Sequence, residues 1–310
     1  MLSFQPPGFG QKCVSTPLGK MVYYTQVSDP WPEEVTFPQR QSESASKPTV
    51  VFFHNFGGGA SAYEWSKVYS AIASIHPVIA PDLLGWGDSD HPKRRYTPED
   101  YVNSIAAFLT QLDSQRNTGP IIAVASSFTA GLILRLAANS PDYFQRLFLA
   151  CPAGFKDFGA GAGRRLPEPL INTPFLDQAI YALGATNELA VRSFLERFLF
   201  YKSDRLSNEI VAAYLASAQK PDAEYAALSF LRGDLYFDLA PYVPKLTVPT
   251  AMVWGGRSQF TSVALGRRLA ALNPEAVQQF QVVSETGVLP HLEQPGVVTA
   301  LLLQWLSLDL

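Results

Sequence analysis

The chain has little of what nucleic-acid-binding and disulfide-stapled proteins depend on. Among its 310 residues, 24 lysines and arginines stand against 27 aspartates and glutamates, which gives a net charge of −3. Because no basic stripe is present to release phosphate counterions, we expect no nucleic-acid partner. The two cysteines, Cys13 and Cys151, lie far apart and match neither a disulfide framework nor a metal spacing.

Long apolar runs and targeting signals are also missing. No segment reaches the roughly 18 uninterrupted apolar residues that a membrane span needs. The first residues, MLSFQPPGFGQKCV, lack the basic start and long apolar run of a secretory signal. Together with the few cysteines, these features favour a reducing compartment, and we predict a soluble, cytoplasmic protein.

Charged residues are scarce, whereas phenylalanine is abundant. Charged residues make up 16% of the chain, whereas they make up roughly a quarter of an average soluble domain. Phenylalanine alone occurs 20 times. This composition predicts a large core with an apolar cavity for a hydrophobic small molecule. The alternative is an apolar surface patch that contacts a membrane or a protein partner, and composition does not separate the two.

Short apolar runs alternate with helix-like stretches along most of the chain. VSTPLGKMVYYTQ (14–26) predicts a hairpin, and the polar, proline-rich residues that follow predict a long loop. Alternation of buried strands with helices is typical of a mainly parallel sheet that helices cover on both faces. The predicted strands are TVVFFH (49–54), HPVIAPD (76–82), PIIAVA (120–125), RLFLAC (146–151), PTAMVW (249–254) and QFQVV (279–283).

The strand pattern stops between residues 159 and 238. Apolar helical stretches take over, with Asn187 and Ser207 as predicted N-caps; Thr97 is a third N-cap, in an earlier helix. We therefore predict an α/β core formed by residues 1–158 and 239–310, and a helical cap formed by residues 159–238. The cap follows a strand, so we expect it over the carboxyl ends of the sheet, where ligands bind in open α/β folds.

Four segments together resemble the α/β-hydrolase family over about residues 15–310. They are HNFGGGASAYEW (54–65), DLLGWGDSDHP (82–92), AVASSFTAG (123–131), and VPTAMVWGGRSQFT (248–261) followed by LPHLEQP (289–295). The resemblance implies the α/β-hydrolase fold, with a nucleophilic serine on a sharp turn between a strand and a helix, a histidine base, an acid, and two backbone amides that bind an oxyanion. Fold alone does not fix activity, so each position needs its own examination.

Ser127 occupies the nucleophile position of that resemblance. The flanking glycines of the family are replaced by Ala125 and Thr129. Glycine suits the tight turn because no Cβ fits there. We therefore expect either a relaxed turn or smaller neighbours around Thr129. The alternative register, with Ser126 as nucleophile, has worse flanks, and Ser127 could also be a purely structural hydroxyl at a helix start.

The acid and histidine positions depart further from the family. Ser258 stands where the resemblance expects an aspartate, and Val288 stands where it expects the catalytic histidine. His291 matches a second, non-catalytic histidine whose usual role is local hydrogen bonding. His291 is a weak candidate base that would need a rearranged loop, and Asp157 is a weak candidate acid.

The remaining candidate positions imply an oxyanion site without a cofactor. The backbone amides of Phe56 and Phe128 match the oxyanion donors, although Asn55 replaces a glycine beside Phe56. His54 matches a structural histidine, and we expect His76 and His91 at the surface or in loops. No residue spacing suggests a metal or a dinucleotide, so no cofactor is implied.

These departures lead to one functional hypothesis and one alternative. We predict a protein with an α/β-hydrolase fold and an impaired, degenerate Ser–His–Asp triad, which binds a hydrophobic small molecule or a protein partner. The alternative is a serine hydrolase that acts on an apolar ester through Ser127 with a non-standard base. Lyase- or isomerase-like chemistry ranks last, since it generally needs the missing histidine.

Overall fold

The computed structural model describes residues 4–27, 47–159 and 186–308. Its eight strands are β1 (Phe9–Thr16), β2 (Gly19–Gln26), β3 (Val50–Phe53), β4 (Val78–Pro81), β5 (Ile121–Ser126), β6 (Phe144–Ala150), β7 (Thr250–Gly255) and β8 (Val277–Val283). They form one sheet in the order β1-β2-β4-β3-β5-β6-β7-β8. The hairpin β1–β2 and the pair β2–β4 are antiparallel, and every other pair is parallel. The predicted mainly parallel α/β sheet is confirmed.

The described helices are α1 (Ser66–Ile72), α2 (Pro98–Arg116), α3 (Ser127–Asn139), α4 (Glu188–Phe194), α5 (Asn208–Ala218), α6 (Glu224–Leu231), α7 (Val263–Ala270), α8 (Pro290–Glu293) and α9 (Pro295–Leu306). Short 3₁₀ turns lie at Ala62–Trp65, Pro141–Tyr143, Asp157–Gly159, Ser203–Arg205 and Val243–Lys245, and a π-helical turn at Leu195–Leu199 extends α4. The predicted N-caps Thr97, Asn187 and Ser207 are confirmed, because each side chain accepts a hydrogen bond from a backbone N–H in the first turn.

The central strands are apolar on both faces because helices cover both faces. Val51 and Phe53 of β3 belong to a core shared with α2 and α3, whereas Val50 and Phe52 belong to a second core shared with α1 and α9. Successive side chains of a strand point to opposite faces, so an uninterrupted apolar run satisfies both layers. Among the helices within the described residues, none has the length and apolar composition of a membrane span.

Part of the predicted loop and part of the predicted cap lie outside the described residues, namely 28–46 and 160–185. From residue 186 to 231, the described chain forms helices and connecting turns. Contacts to the core come from α5, where the Tyr214 hydroxyl donates to Glu64 and the Ser217 hydroxyl donates to the carbonyl of Ala60 at 3.0 Å. The division into a core and a helical cap stays a prediction, because it rests in part on residues outside the described ranges.

Candidate functional site

The carboxyl edge of the parallel sheet gathers most of the positions singled out in the sequence. Phe56 follows β3, Ser127 follows β5, Ser258 follows β7 and Val288 follows β8. Parallel strands end at the same edge, which is where open α/β sheets bind ligands. The edge therefore provides a candidate site, and the chemistry depends on what each residue contacts there.

Ser127 lies on a sharp turn between β5 and α3. Ser126 is still extended, with φ −126° and ψ 147°, whereas Ser127 has φ +52°. A non-glycine residue in this left-handed region is uncommon and costs on the order of 1–3 kcal/mol. Among the described residues, no group makes a hydrogen bond to the Ser127 hydroxyl, and the residue is 4% exposed. The turn thus has the strained geometry of a nucleophile position, with its hydroxyl uncommitted.

The replaced glycines do not relax this turn. Ala125 and Thr129 are both fully buried, and the Thr129 hydroxyl has no hydrogen-bond partner in the structure. The close approach that demands glycine occurs instead at Gly131, where a Cβ would lie 2.5 Å from the carbonyl oxygen of Ala153. Of the two outcomes expected for Thr129, the relaxed turn is therefore not the one observed.

The acid position carries no charge. Ser258 is half-buried, and its hydroxyl lies 3.5 Å from the hydroxyl of Thr261. Asp157, the weak alternative, is buried and accepts hydrogen bonds from the backbone N–H groups of Gly154 at 3.0 Å and Leu239 at 2.8 Å. Burial raises the pKa of its carboxyl. Asp157 thus connects the two ends of the 159–238 segment, and no histidine is among its hydrogen-bond partners.

The histidine position is occupied by Val288, which is 1% exposed. His291 is fully buried and stacks on Trp65, with ring centroids 3.8 Å apart and an interplanar angle of 13°. Neither of its ring nitrogens has a hydrogen-bond partner, so the local hydrogen bonding that the resemblance implied for it is not observed. Its Nε2 lies 4.0 Å from a carboxylate oxygen of Glu64. Burial lowers the pKa of His291 to about 3, which leaves the ring neutral.

The other three histidines are also engaged away from Ser127. His54 accepts from the N–H of Leu83 at 2.9 Å, so its Nδ1 carries the proton that is donated to the carbonyl of Asn55 at 2.7 Å. Burial lowers the pKa of His54 to about 4. His76 contacts the carbonyl of Pro48, and His91 lies in the loop after β4. All four histidines of the chain are thereby located, and none makes a hydrogen bond to Ser127.

Glu293 fixes the loop that carries Val288. It is 6% exposed and accepts hydrogen bonds from the backbone N–H groups of Gly287, Tyr201 and Lys202, the last two at 3.1 Å. A Cβ on Gly287 would lie 2.3 Å from the carbonyl oxygen of Leu199. The loop is therefore held between the core and the segment after α4, and a rearrangement that moved His291 towards Ser127 would break these contacts.

The two candidate oxyanion donors differ in availability. The Phe56 N–H donates to Oδ1 of the Asn55 side chain at 2.6 Å, so this amide is not free in the structure. Phe128 lies in the first turn of α3, where a backbone N–H has no partner within the helix. The expectation of two free amides therefore needs a correction at Phe56, and its cause is the side chain that replaces a glycine at position 55.

A buried polar cluster lies behind the oxyanion loop. Glu64 accepts from the backbone N–H of Asn55 at 2.8 Å and from the hydroxyl of Tyr214. Burial raises the pKa of Glu64 to about 7, although both hydrogen bonds oppose that shift. The cluster connects α5 to the loop after β3. The spacing of the sequence gives no signal for this contact, since Tyr214 is 150 residues away from Glu64.

Aromatic side chains enclose the turn at Ser127. The Phe128 ring contacts four other phenylalanine rings at centroid distances of 4.9–6.1 Å, which are those of Phe56, Phe155, Phe230 and Phe237. Phe155 in turn packs on Phe260, which lies in the loop after β7 and is 42% exposed. The aromatic residues thus run from the buried turn to the surface beside Ser258.

A cleft of about 550 Å³ lies elsewhere, between the N-terminal segment and α5, and its lining includes Tyr24, Asp82 and Lys220. It includes neither Ser127 nor Phe128, so it is separate from the turn that carries the nucleophile position. The apolar cavity predicted from composition stays a prediction. Within residues 4–27, 47–159 and 186–308, no group of three His, Cys, Asp or Glu side chains is positioned to hold a metal ion.

Sequence comparison relates most of the chain to one family. The profile of the "Alpha/beta hydrolase family" matches residues 50–301. An uncharacterized protein from Mycobacterium tuberculosis is 32% identical over 111 residues, which cover 36% of this chain and 31% of that protein. The chain thus spans about a third of the length of the relatives matched in this way. The 2-(acetamidomethylene)succinate hydrolase of Mesorhizobium japonicum is 26% identical over 241 residues, covering 75% of this chain and 79% of that enzyme.

Structure comparison supports the same fold. The carboxylesterase CesB of Bacillus subtilis superposes with a TM-score of 0.71 at 18% sequence identity, covering 98% of this chain and 93% of the esterase. At this level of identity, the likeness concerns the fold alone.

Proposed function

Because the chain belongs to the α/β hydrolase family, we propose that it binds an apolar small molecule beside Ser127 and lacks an efficient Ser–His–acid machinery. One observation carries this proposal: each of the four histidines has contacts that leave Ser127 without an imidazole partner. Removing one triad member from a serine hydrolase leaves a residual acceleration of roughly 10³ to 10⁴ over water, a loss of several orders of magnitude.

The aromatic residues favour an apolar ligand over a protein partner. Phe56 and Phe128 are buried at the turn, and Phe155 and Phe260 continue from it towards the surface. A partner-binding surface would need a contiguous apolar patch. The exposed large apolar residues of the described chain are instead mostly scattered, as Ile75, Leu189 and Leu272 illustrate, and only Val297 and Leu303 share a helix, α9. Contact with a membrane surface or a protein therefore stays the less favoured use.

A serine hydrolase acting on an apolar ester is the second candidate, and the turn itself favours it. Ser127 keeps the strained φ of +52°, and its hydroxyl is not used in a structural hydrogen bond. The family match and hydrolases such as the Mesorhizobium enzyme support this candidate. Because Val288 occupies the position of the catalytic histidine, this candidate needs a base from elsewhere in the chain. His291 could serve only if it left its stacking position on Trp65.

A fluorophosphonate probe separates the two candidates. We expect the folded wild-type protein to show no stoichiometric labelling, because nothing removes the proton from the Ser127 hydroxyl. Ser127→Ala gives the background, and Ser126→Ala is the matched control beside it. Stoichiometric labelling that disappears in Ser127→Ala and persists in Ser126→Ala would replace the binding proposal with the hydrolase.

A further inference from the structure

Asn55 is held at three points, and these contacts determine how its side chain is oriented. Its backbone N–H donates to Glu64 at 2.8 Å, and its carbonyl accepts from His54 at 2.7 Å. Its Oδ1 accepts from the N–H of Phe56 at 2.6 Å. A backbone N–H donates only to an acceptor, and Oδ1 is the acceptor of the side-chain amide. The amide oxygen, and not Nδ2, must therefore face the N–H of Phe56. The Nδ2 group is therefore the free end of the amide.

The Nδ2 group of Asn55 is a hydrogen-bond donor without an acceptor in the described structure. It lies beside Gly57, 3.6 Å from the position that a Cβ on Gly57 would take. A methyl carbon of Leu199 and a ring carbon of Phe194 lie 3.6 and 3.8 Å from the same position. The donor thus shares apolar surroundings with side chains of the helical segment. Asn55 itself is 1% exposed, so this unpartnered donor belongs to a buried side chain.

We propose that Asn55 Nδ2 is the group that recognises a neutral carbonyl oxygen on an otherwise apolar ligand. This inference rests on the proposed binding function and specifies its ligand class as ketones, esters or lactones. In the resemblance, a backbone amide at Phe56 would meet such an oxygen. In this chain the Phe56 N–H donates to the side-chain oxygen of Asn55, and the NH₂ group of Asn55 is the donor that stays available.

The charge nearby argues for a neutral carbonyl and against a carboxylate. The buried Glu64 carboxyl contacts the backbone of Asn55, and Tyr214 donates to it. No lysine or arginine is among the hydrogen-bond or ion-pair partners of Glu64 in the described residues. An anionic ligand would therefore lose its hydration without gaining a compensating cation, which is costly in an apolar site.

The test uses two ligands that differ in one group, 2-heptanone and its alkene isostere 2-methyl-1-heptene. Headspace gas chromatography over the protein solution measures the free ligand and gives a dissociation constant for each. The quantity of interest is the ketone-to-alkene affinity ratio, compared between wild type and Asn55→Leu. A neutral hydrogen bond corresponds to roughly a 2- to 10-fold change in affinity. We expect this ratio to fall by that factor in Asn55→Leu.

Two further variants keep the result interpretable. Asn55→Asp keeps an oxygen for the Phe56 N–H but replaces the donor, so the ratio should fall at least as far as in Asn55→Leu. Asn139→Leu is the matched control, because its side chain lies on the exposed side of α3 and bonds only to the carbonyl of Arg135. An unchanged ratio in both Asn55 variants would overturn the role of Asn55 while leaving apolar binding intact. Absence of saturable binding of either ligand to the wild type would overturn the binding function, and this inference with it.

Discussion

Glu293→Gln should destabilise the protein far more than a glutamate substitution at the surface nearby. One carboxylate oxygen of Glu293 accepts from Gly287, and the other accepts from Tyr201 and Lys202 and lies 3.7 Å from the guanidinium of Arg205. Glutamine keeps one acceptor and turns an NH₂ group towards the remaining N–H groups. A buried donor left unpaired costs about 1–3 kcal/mol, and charge-assisted bonds are about twice as strong as neutral ones. We expect a loss of about 2–4 kcal/mol of unfolding free energy.

Equilibrium urea unfolding measures this loss, and Glu285→Gln is the matched control. Glu285 is exposed and pairs with the Lys202 side chain at 2.7 Å, so its substitution should barely move the midpoint. Amide hydrogen exchange adds local information: the N–H groups of Tyr201, Lys202 and Gly287 should exchange faster in Glu293→Gln. Equal urea midpoints for the two variants, with unchanged exchange at those three amides, would refute the view that Glu293 fixes the loop after β8.

Four further predictions follow from buried groups. Thr129→Val should raise the unfolding free energy by about 1–3 kcal/mol in urea, since it removes a buried hydroxyl without a partner; a loss of stability would contradict this. Burial raises the pKa of Glu64 from 4.5 to about 7, so the folded state binds the Glu64 proton more tightly than the unfolded state does. The unfolding free energy therefore falls as pH rises from about 4.5 to about 7. Glu64→Gln should remove this dependence, on the order of 3 kcal/mol, and an unchanged pH slope would count against it. Burial lowers the pKa of His291 from 6.5 to about 3, so the stability that the neutral ring contributes is lost as pH falls through this range. His291→Phe keeps the stacking on Trp65 without a titrating group. Its unfolding free energy should therefore fall less between about pH 7 and pH 5 than that of the wild type, by on the order of 2 kcal/mol. Val288→His combined with Ser258→Asp and Thr129→Gly should create measurable hydrolysis of a p-nitrophenyl ester, and continued inertness of the well-folded triple variant would argue against the assumed geometry.

The sheet was predictable because its signal is local. Each central strand is a short apolar run, and burial on both faces requires such a run whatever the rest of the chain does. The pattern placed β3 at 49–54 and β5 at 120–125, and the strands occur at Val50–Phe53 and Ile121–Ser126. Ser127 itself was assigned from the resemblance, and the structure places it directly after β5, at the start of α3.

The contacts around the site were less predictable because they join distant parts of the chain. The sequence showed that Asn55 replaces a glycine of the family. It did not predict that the side-chain oxygen of Asn55 accepts a hydrogen bond from the Phe56 N–H. His291 was expected to make local hydrogen bonds, whereas the structure stacks it on Trp65. The energy of a buried side chain depends on which partners reach it, and spacing along the chain does not encode that choice.

The strain at Ser127 and the unpaired donor of Asn55 bear on the same functional question. A left-handed serine and an amide donor without an acceptor each cost free energy in the unliganded protein. Neither cost is offset by a described protein contact at those atoms, since the Ser127 hydroxyl and Asn55 Nδ2 make no hydrogen bond within the described residues. Donation from either group to a ligand carbonyl oxygen needs no proton transfer. The arrangement therefore suits recognition of a carbonyl even where no histidine is available for hydrolysis.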